Sequence, residues 1–313
     1  MNYMEIFLSM FSFIILVVMI LVSVAFLTLF ERKILGYIQL RKGPNKVGFL
    51  GIVQPFNEAI KLFSKEYVLL YKINYVYFFI TPMLNIFLSL VIWFVIPYVE
   101  GMFNFNYSLL FMFCCMSGVV YLIMIMSWAS NSKYGMLGGL RGMAQVISYE
   151  VSLMLIMLSL IFLIMSFKFL ELSVYQNKLW FLWVLFPLFS CLFISFLAET
   201  NRSPFDFVEG ESELVSGFNI EYGSGMFALI FMAEYMSILF FCFILSVMFL
   251  GGMNSIFFYL NYLFLIFSVN WIRGVLPRYR YDKLMFLNWK IYLPVSLNYL
   301  ILNVSIYIYF FKF

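Results

Sequence analysis

Charge is missing from most of this sequence, and the places where it is missing decide what the chain can fold into. Residues 6–30, 73–99, 101–132, 179–198 and 291–311 contain no Asp, Glu, Lys or Arg. The stretch 235–272 is also uncharged and breaks at Gly251-Gly252. Two further apolar runs are each interrupted by one carboxylate, Glu150 and Glu234. A bilayer span needs about 20 mostly apolar residues, and a helix satisfies all its backbone groups internally. The expected fold is therefore all-α: a polytopic membrane protein with eight transmembrane helices plus short amphipathic helices in its loops. The spans fall at about 4–30, 75–99, 106–128, 142–167, 178–198, 223–250, 254–272 and 290–311.

Composition agrees. Only 11% of the 313 residues are charged and 65% are hydrophobic, whereas a soluble domain carries about 25% charged residues. There is too little polar surface for a water-soluble globule. No internal repeat is visible, so a single membrane domain over 1–313 is expected. The first apolar run is too long for a cleaved leader and leads straight into Glu31-Arg32-Lys33, so it is expected to remain as a span.

Eight spans put both termini on one face. The loops 31–74, 129–141, 199–222 and 273–290 then hold 16 Lys and Arg, against Lys168, Lys178 and Lys312 on the terminal face. This is a strong positive-inside bias, so those four loops are expected to face the cytoplasm or an organelle matrix.

Several function classes drop out. A net charge of +4 with no basic patch implies no nucleic acid. Histidine is absent, which removes the commonest metal ligand and the usual neutral-pH base. Cys114, Cys115, Cys191 and Cys242 lie in apolar runs without ligand spacing and read as small hydrophobes, so no metal site is expected. Abundant Phe, Tyr and Met with no His fit an AT-rich organellar gene.

The remaining charge is concentrated. After Pro55, Phe56, Ile60 and Phe63 fall on one helical face with Glu58, Lys61 and Lys65 off it, the pattern of a helix lying in the membrane interface. The lysines suit anionic lipid. Glu31, Arg32 and Arg41 sit where the first helix leaves the apolar core, and lipid does not explain them. The loop 199–222 holds Glu199, Asp206, Glu209, Glu211, Glu213 and Glu221 with Arg202 as its only base. If helical after Pro204, it sets Asp206, Glu209 and Glu213 on one face and turns Glu211 elsewhere. Like charges so close raise one another's pKa, and acids tuned that way can pass protons. A solvated acidic loop is the plainer alternative; calcium lacks its EF-hand spacing. Glu150 and Glu234, near mid-span, cost about 2.5–3.5 kcal/mol each if charged, so inward-facing functional groups are expected. The alternative is a neutral acid bonded to Tyr149 or Tyr235. In the last loop Arg273, Arg278, Arg280, Lys283 and Lys290 suit partner docking or lipid headgroups, or counter the acidic loop.

Four motifs carry a family likeness: VAFLTLFERKILGYIQLRKGPNKVG, WASNSKYGMLGGLRGMAQVISYEVSL, AETNRSPFDFVEGESELVSGFNIEYGSGMFALIFMAEY and LPRYRYDKLMFLNWK. In order and spacing they closely resemble the subunit-1 family of mitochondrial NADH–ubiquinone oxidoreductase, respiratory complex I. The resemblance implies a membrane subunit at the junction with the peripheral arm, in the mitochondrial inner membrane with its long loops toward the matrix. It implies ubiquinone as substrate, FMN and iron–sulfur clusters on partner subunits, and contacts with the peripheral-arm quinone module, neighbouring membrane-arm subunits and lipid. It assigns Glu31, Arg32, Arg41, Glu199, Arg202, Asp206, Glu209 and Glu213 to a quinone tunnel. It assigns Glu150, Glu221, Glu234, Arg141, Arg278 and Arg280 to a path of buried acids and bases toward the proton pumps. Gly135, Gly142 and Gly223 stand where the family often has other small residues and are expected to loosen helix ends. An ion-coupled secondary transporter is the rival reading, but it calls for repeat symmetry that the sequence lacks.

Overall fold

The computed structural model describes residues 3–67, 71–96, 105–176, 179–251 and 256–311. Within them the chain forms α1 (Tyr3–Ile38), α2 (Gln54–Ser64), α3 (Tyr75–Val91), α4 (Ser108–Ala129), α5 (Lys133–Ile164), α6 (Phe169–Tyr175), α7 (Phe181–Val184), α8 (Phe186–Glu199), α9 (Glu211–Leu214), α10 (Ser224–Phe249), α11 (Ile256–Val275), α12 (Tyr281–Leu287) and α13 (Leu293–Phe311). There is no strand among the described residues. Among the described residues seven helices are long and apolar enough to cross a membrane, with α12 and α13 counted as one. Much of α1 and α11 is apolar and exposed, for example Phe7, Met19, Phe257 and Phe264, a surface that suits hydrocarbon and not water.

The span expected over 178–198 departs from the sequence reading. The helix breaks at Leu185 and restarts as α8, with Pro187 in its first turn. Proline has no N–H to give and its ring clashes with the carbonyl four residues back. The 14 residues of α8 reach only about 21 Å, short of the roughly 30 Å hydrocarbon core. The expected fifth span is thus not one continuous helix. Lys178 and the expected end of the second span, 97–99, lie outside the described residues.

Other boundaries move too. α1 continues eight residues past the expected end, through Glu31 to Ile38, because Glu31 and Ile34 are buried against neighbouring helices. α5 starts at Lys133, inside the expected loop, with the Ser132 side chain accepting from the Gly135 N–H at 3.1 Å. The glycines there do not loosen the helix. A Cβ on Gly142 would lie 2.5 Å from Val208 Cγ2, so the bare backbone lets α5 press against the acidic loop.

α5 is the centre of the bundle and packs most extensively on α13 and α4. Tyr149, Leu153, Ile156, Met157 and Leu160 of α5 are fully buried. Side-chain amides stitch α13 and the turn before it to α5: Asn288 Nδ2 donates to the Ser148 carbonyl at 2.6 Å and Asn303 Nδ2 to the Ser159 carbonyl at 2.9 Å. The backbone widens to a π-turn over Asn288–Tyr292, a distortion often found at functional sites.

Candidate functional site

Glu31 is the hub of the polar interior. Its side chain is 3% exposed. Arg202 Nη1 donates to Oε1 at 2.8 Å, Tyr235 Oη donates to Oε2 at 2.8 Å, and Arg273 Nη1 also donates to Oε1. The Arg202 guanidinium sits 4.5 Å from the Tyr235 ring centroid. One carboxylate thus ties together α1, the loop after α8, α10 and α11. An isolated buried charge is expensive, and here three donors and two opposite charges offset that cost. On sequence alone Arg273 is a general loop charge and Tyr235 a partner of Glu234. Neither link to Glu31 is visible there, since the two positions lie 242 and 204 residues from it.

The acidic loop does not form the expected helical face. Residues 201–210 are turns, Gly210 takes a left-handed conformation, and after it come only a single α-turn over Glu211–Leu214 and a 3-10 turn over Gly217–Asn219. The acids are separated instead. Arg278 Nη2 donates to Asp206 at 3.1 Å, Asn219 Nδ2 to Glu209 at 3.0 Å and Arg141 Nη1 to Glu213 at 2.6 Å. The option that an arginine of the last loop counters the acidic loop is the one realised. Glu221 is half-buried in the turn before α10, and nothing is described of the Glu211 side chain. Fully buried Gln145 pins the loop by donating to the carbonyls of Ala198 at 2.6 Å and Phe205 at 2.9 Å.

Gly217 closes the loop. Its φ is +55°, and a Cβ there would overlap the Val208 carbonyl oxygen. Gly217→Ala is expected to push the loop off α5 and reduce the amount of assembled protein in membranes, measured by native gel. Wild-type levels would show that the loop tolerates the shift.

Arg32 on α1 donates to Glu58 Oε1, and Gln54 Nε2 donates to the same oxygen at 2.8 Å. Burial pulls the Glu58 carboxyl up, but the bonds from Arg32 and Gln54 outweigh it and hold the group below its ordinary range. Pro55, Ala59 and Leu62 turn inward with Glu58, and the expected apolar face of Phe56, Ile60 and Phe63 is left exposed, free to lie in the membrane interface. Arg41 is exposed, and Arg280 lies at the surface with its Nε 3.1 Å from Asp282, so neither joins the hub.

Three cavities run through this region. A crevice of about 460 Å³ lies between α1, α2 and α10 and is walled by Leu21, Ala25, Phe56, Leu62, Phe227 and Met232. Arg32, Glu58 and Tyr235 line it as well. Tyr235 and Phe231 are shared with a polar cavity of about 40 Å³ lined by Arg202, Asp206, Glu209, Glu234 and Arg273. Thr200, Asn201 and Glu234 are shared in turn with a cavity of about 60 Å³ that reaches Glu199, Asn85 and Ser89. Glu199 Oε2 and Glu150 Oε1 are buried with no hydrogen-bond partner. Glu199 and Glu234 line one of these cavities together, and Glu234 and Glu209 line the other. A file of acids with unsatisfied oxygens beside small cavities can accept and release protons.

Residues 11–304 match the family model described as NADH dehydrogenase. The chain belongs to this family. The resemblance carried by the four motifs therefore holds along nearly the whole sequence. The chain is 54% identical over 307 residues to the NADH-ubiquinone oxidoreductase chain 1 of Aedes aegypti, covering 98% of each. It is 56% identical over 296 residues to that of Anopheles gambiae, covering 94% of each. A bacterial relative, an NADH-quinone oxidoreductase subunit of Paramagnetospirillum magneticum, is 45% identical over 305 residues, covering 93% of this chain and 89% of its own. Of the residues the family resemblance implied, Arg202, Asp206, Glu209 and Glu234 line one polar cavity and Glu31 is bonded to Arg202 at its wall, while Glu213 and Arg141 pair at the surface.

Proposed function

We propose that this chain is the inner-membrane subunit through which ubiquinone reaches complex I, and that its acids couple quinone reduction to proton translocation. Such a subunit is not catalytic alone. FMN and the iron–sulfur clusters would belong to peripheral-arm partners, and the neighbouring membrane-arm subunits would receive the proton signal. The long loops would face the mitochondrial matrix, with α7 and α8 together completing the eighth crossing.

The observation that carries this reading is the shared wall at Tyr235. An apolar crevice of about 460 Å³ is lined by a residue whose hydroxyl is bonded to Glu31 and which also borders the acid-lined polar cavity. In the proposed sequence the quinone slips in from lipid between α1 and α10 and passes Arg32 and Glu58. Its head then moves on toward the peripheral arm. Reduction consumes two protons and changes the local charge. A unit charge 4 Å from a carboxylate is worth roughly 4 kcal/mol in a partly polar interior, enough to move a proton between neighbouring acids. Glu209 and Glu234 would respond first, then Glu199 and Glu150.

Ala25 lines the crevice, and Ala25→Trp is expected to block it. Quinone-linked NADH oxidation should fall about tenfold or more while oxidation by a water-soluble artificial acceptor persists. Full quinone-linked turnover in A25W membranes would remove the crevice from the path.

A further inference from the structure

The crevice holds two charged side chains among its described lining residues, Arg32 and Glu58, and they are bonded to each other. They come from different elements, α1 and α2. Their side chains are 48% and 31% exposed, so both reach the open space. The rest of the wall is apolar or uncharged.

Without Glu58 that space would be an apolar slot with one guanidinium in its side. That is the recognition chemistry of a fatty acid: a planar donor fork for the carboxylate and hydrocarbon walls for the tail. A membrane is a standing source of such amphiphiles. With Glu58 present, the fork is already occupied by an internal carboxylate. A second anion would have to displace Glu58 or lie beside it, at a repulsive cost. Gln54 donates to the same Glu58 oxygen at 2.8 Å, which keeps the carboxylate aimed at Arg32.

We infer that Glu58 is a selectivity residue: by occupying Arg32 it lets uncharged tailed molecules use the crevice and turns amphiphilic carboxylates away. The inference rests on the reading of the crevice as the quinone access path. It goes beyond that reading by naming what the path excludes and which residue excludes it. The low proton affinity of Glu58 supports the role, since the group stays ionised across the neutral range.

A plainer role is that the pair only clamps α2 to α1. The two roles differ in their charge dependence. A lost clamp loosens the crevice for neutral and anionic amphiphiles alike, whereas a lost counter-ion favours anions alone. The test uses the assembled complex carrying E58Q, R32Q/E58Q or neither change. Dodecanoate and dodecanol are titrated as displacers of a neutral anthroyloxy-labelled fatty alcohol bound to the complex, an equilibrium measurement that needs no turnover. E58Q is expected to bind dodecanoate about tenfold more tightly, with dodecanol changed by less than about twofold. R32Q/E58Q should return dodecanoate to its original affinity. No gain for dodecanoate, an equal gain for dodecanol, or a gain that survives loss of Arg32 overturns the proposal. If A25W leaves quinone-linked turnover intact, the access path fails on its own; the displacement data still decide the role of Glu58.

Discussion

Glu31→Gln is expected to cut quinone-linked NADH oxidation about tenfold or more, and Glu31→Ala to deplete the assembled complex as well. The reason is the company Glu31 keeps. It is buried and faces the guanidiniums of Arg202 and Arg273 and the hydroxyl of Tyr235. Removing one partner of a buried ion pair costs about 3–5 kcal/mol, because the other charge is left uncompensated. Here two positive charges lose their partner. Gln keeps the size and one acceptor, so the hub should hold its shape while losing its field. Ala loses both. The measurement is paired: native-gel abundance for assembly, and the ratio of quinone-linked to artificial-acceptor rates for function. If E31Q keeps that ratio at the unmodified value, Glu31 is only a structural tie. The double variant E31A/R273Q should recover abundance relative to E31A, since the excess positive charge is then reduced.

Glu199→Gln and Glu234→Gln are expected to lower quinone-linked turnover and proton pumping together, by about tenfold, whereas Glu213→Gln should stay within about fivefold. On sequence Glu199 and Glu213 belong to one acidic loop and one expected tunnel, and the structure separates them. Glu199 and Glu234 line one cavity, and Glu199 has a buried oxygen without a partner. Replacing either acid interrupts a site where a proton can rest. Glu213 has a side chain 61% exposed and is paired with Arg141 at the surface. Exposed pairs of this kind contribute about 0.2–1 kcal/mol, which bounds the rate effect at about fivefold. Proton uptake in sealed vesicles, normalised to NADH oxidised, separates coupling from turnover. If E199Q and E234Q pump and turn over normally, the acid file is not the coupling path.

The hydropathy pattern was sufficient for the membrane class. Apolar runs, charge-free or broken by a single carboxylate, located each of the long helices among the described residues, since a bilayer span is set by length and apolarity, which are local properties. The motifs were sufficient for the family, and the relatives agree over nearly the full length. Local chemistry also marked Glu31, Arg32 and the acidic loop as charges that lipid could not explain.

What failed in sequence failed for one reason. A helical period places side chains on a face, but it does not say which neighbour that face meets. The acidic loop reads as a helix on spacing alone, yet Gly210, Gly217 and the pull of Gln145 on Ala198 and Phe205 bend it into turns. The period of α2 puts Glu58 off the apolar face, and Arg32 draws it inward. The continuity of the fifth span yielded to Pro187. Arg273 and Tyr235 were ordinary residues until the folded chain carried them to Glu31. By itself, then, the sequence determined that this chain lives in a bilayer, which family it belongs to and which charges are out of place there. Only the tertiary structure decided which of those charges meet, because a buried carboxylate takes its partners from distant segments, and burial removes the water that would otherwise have served any of them.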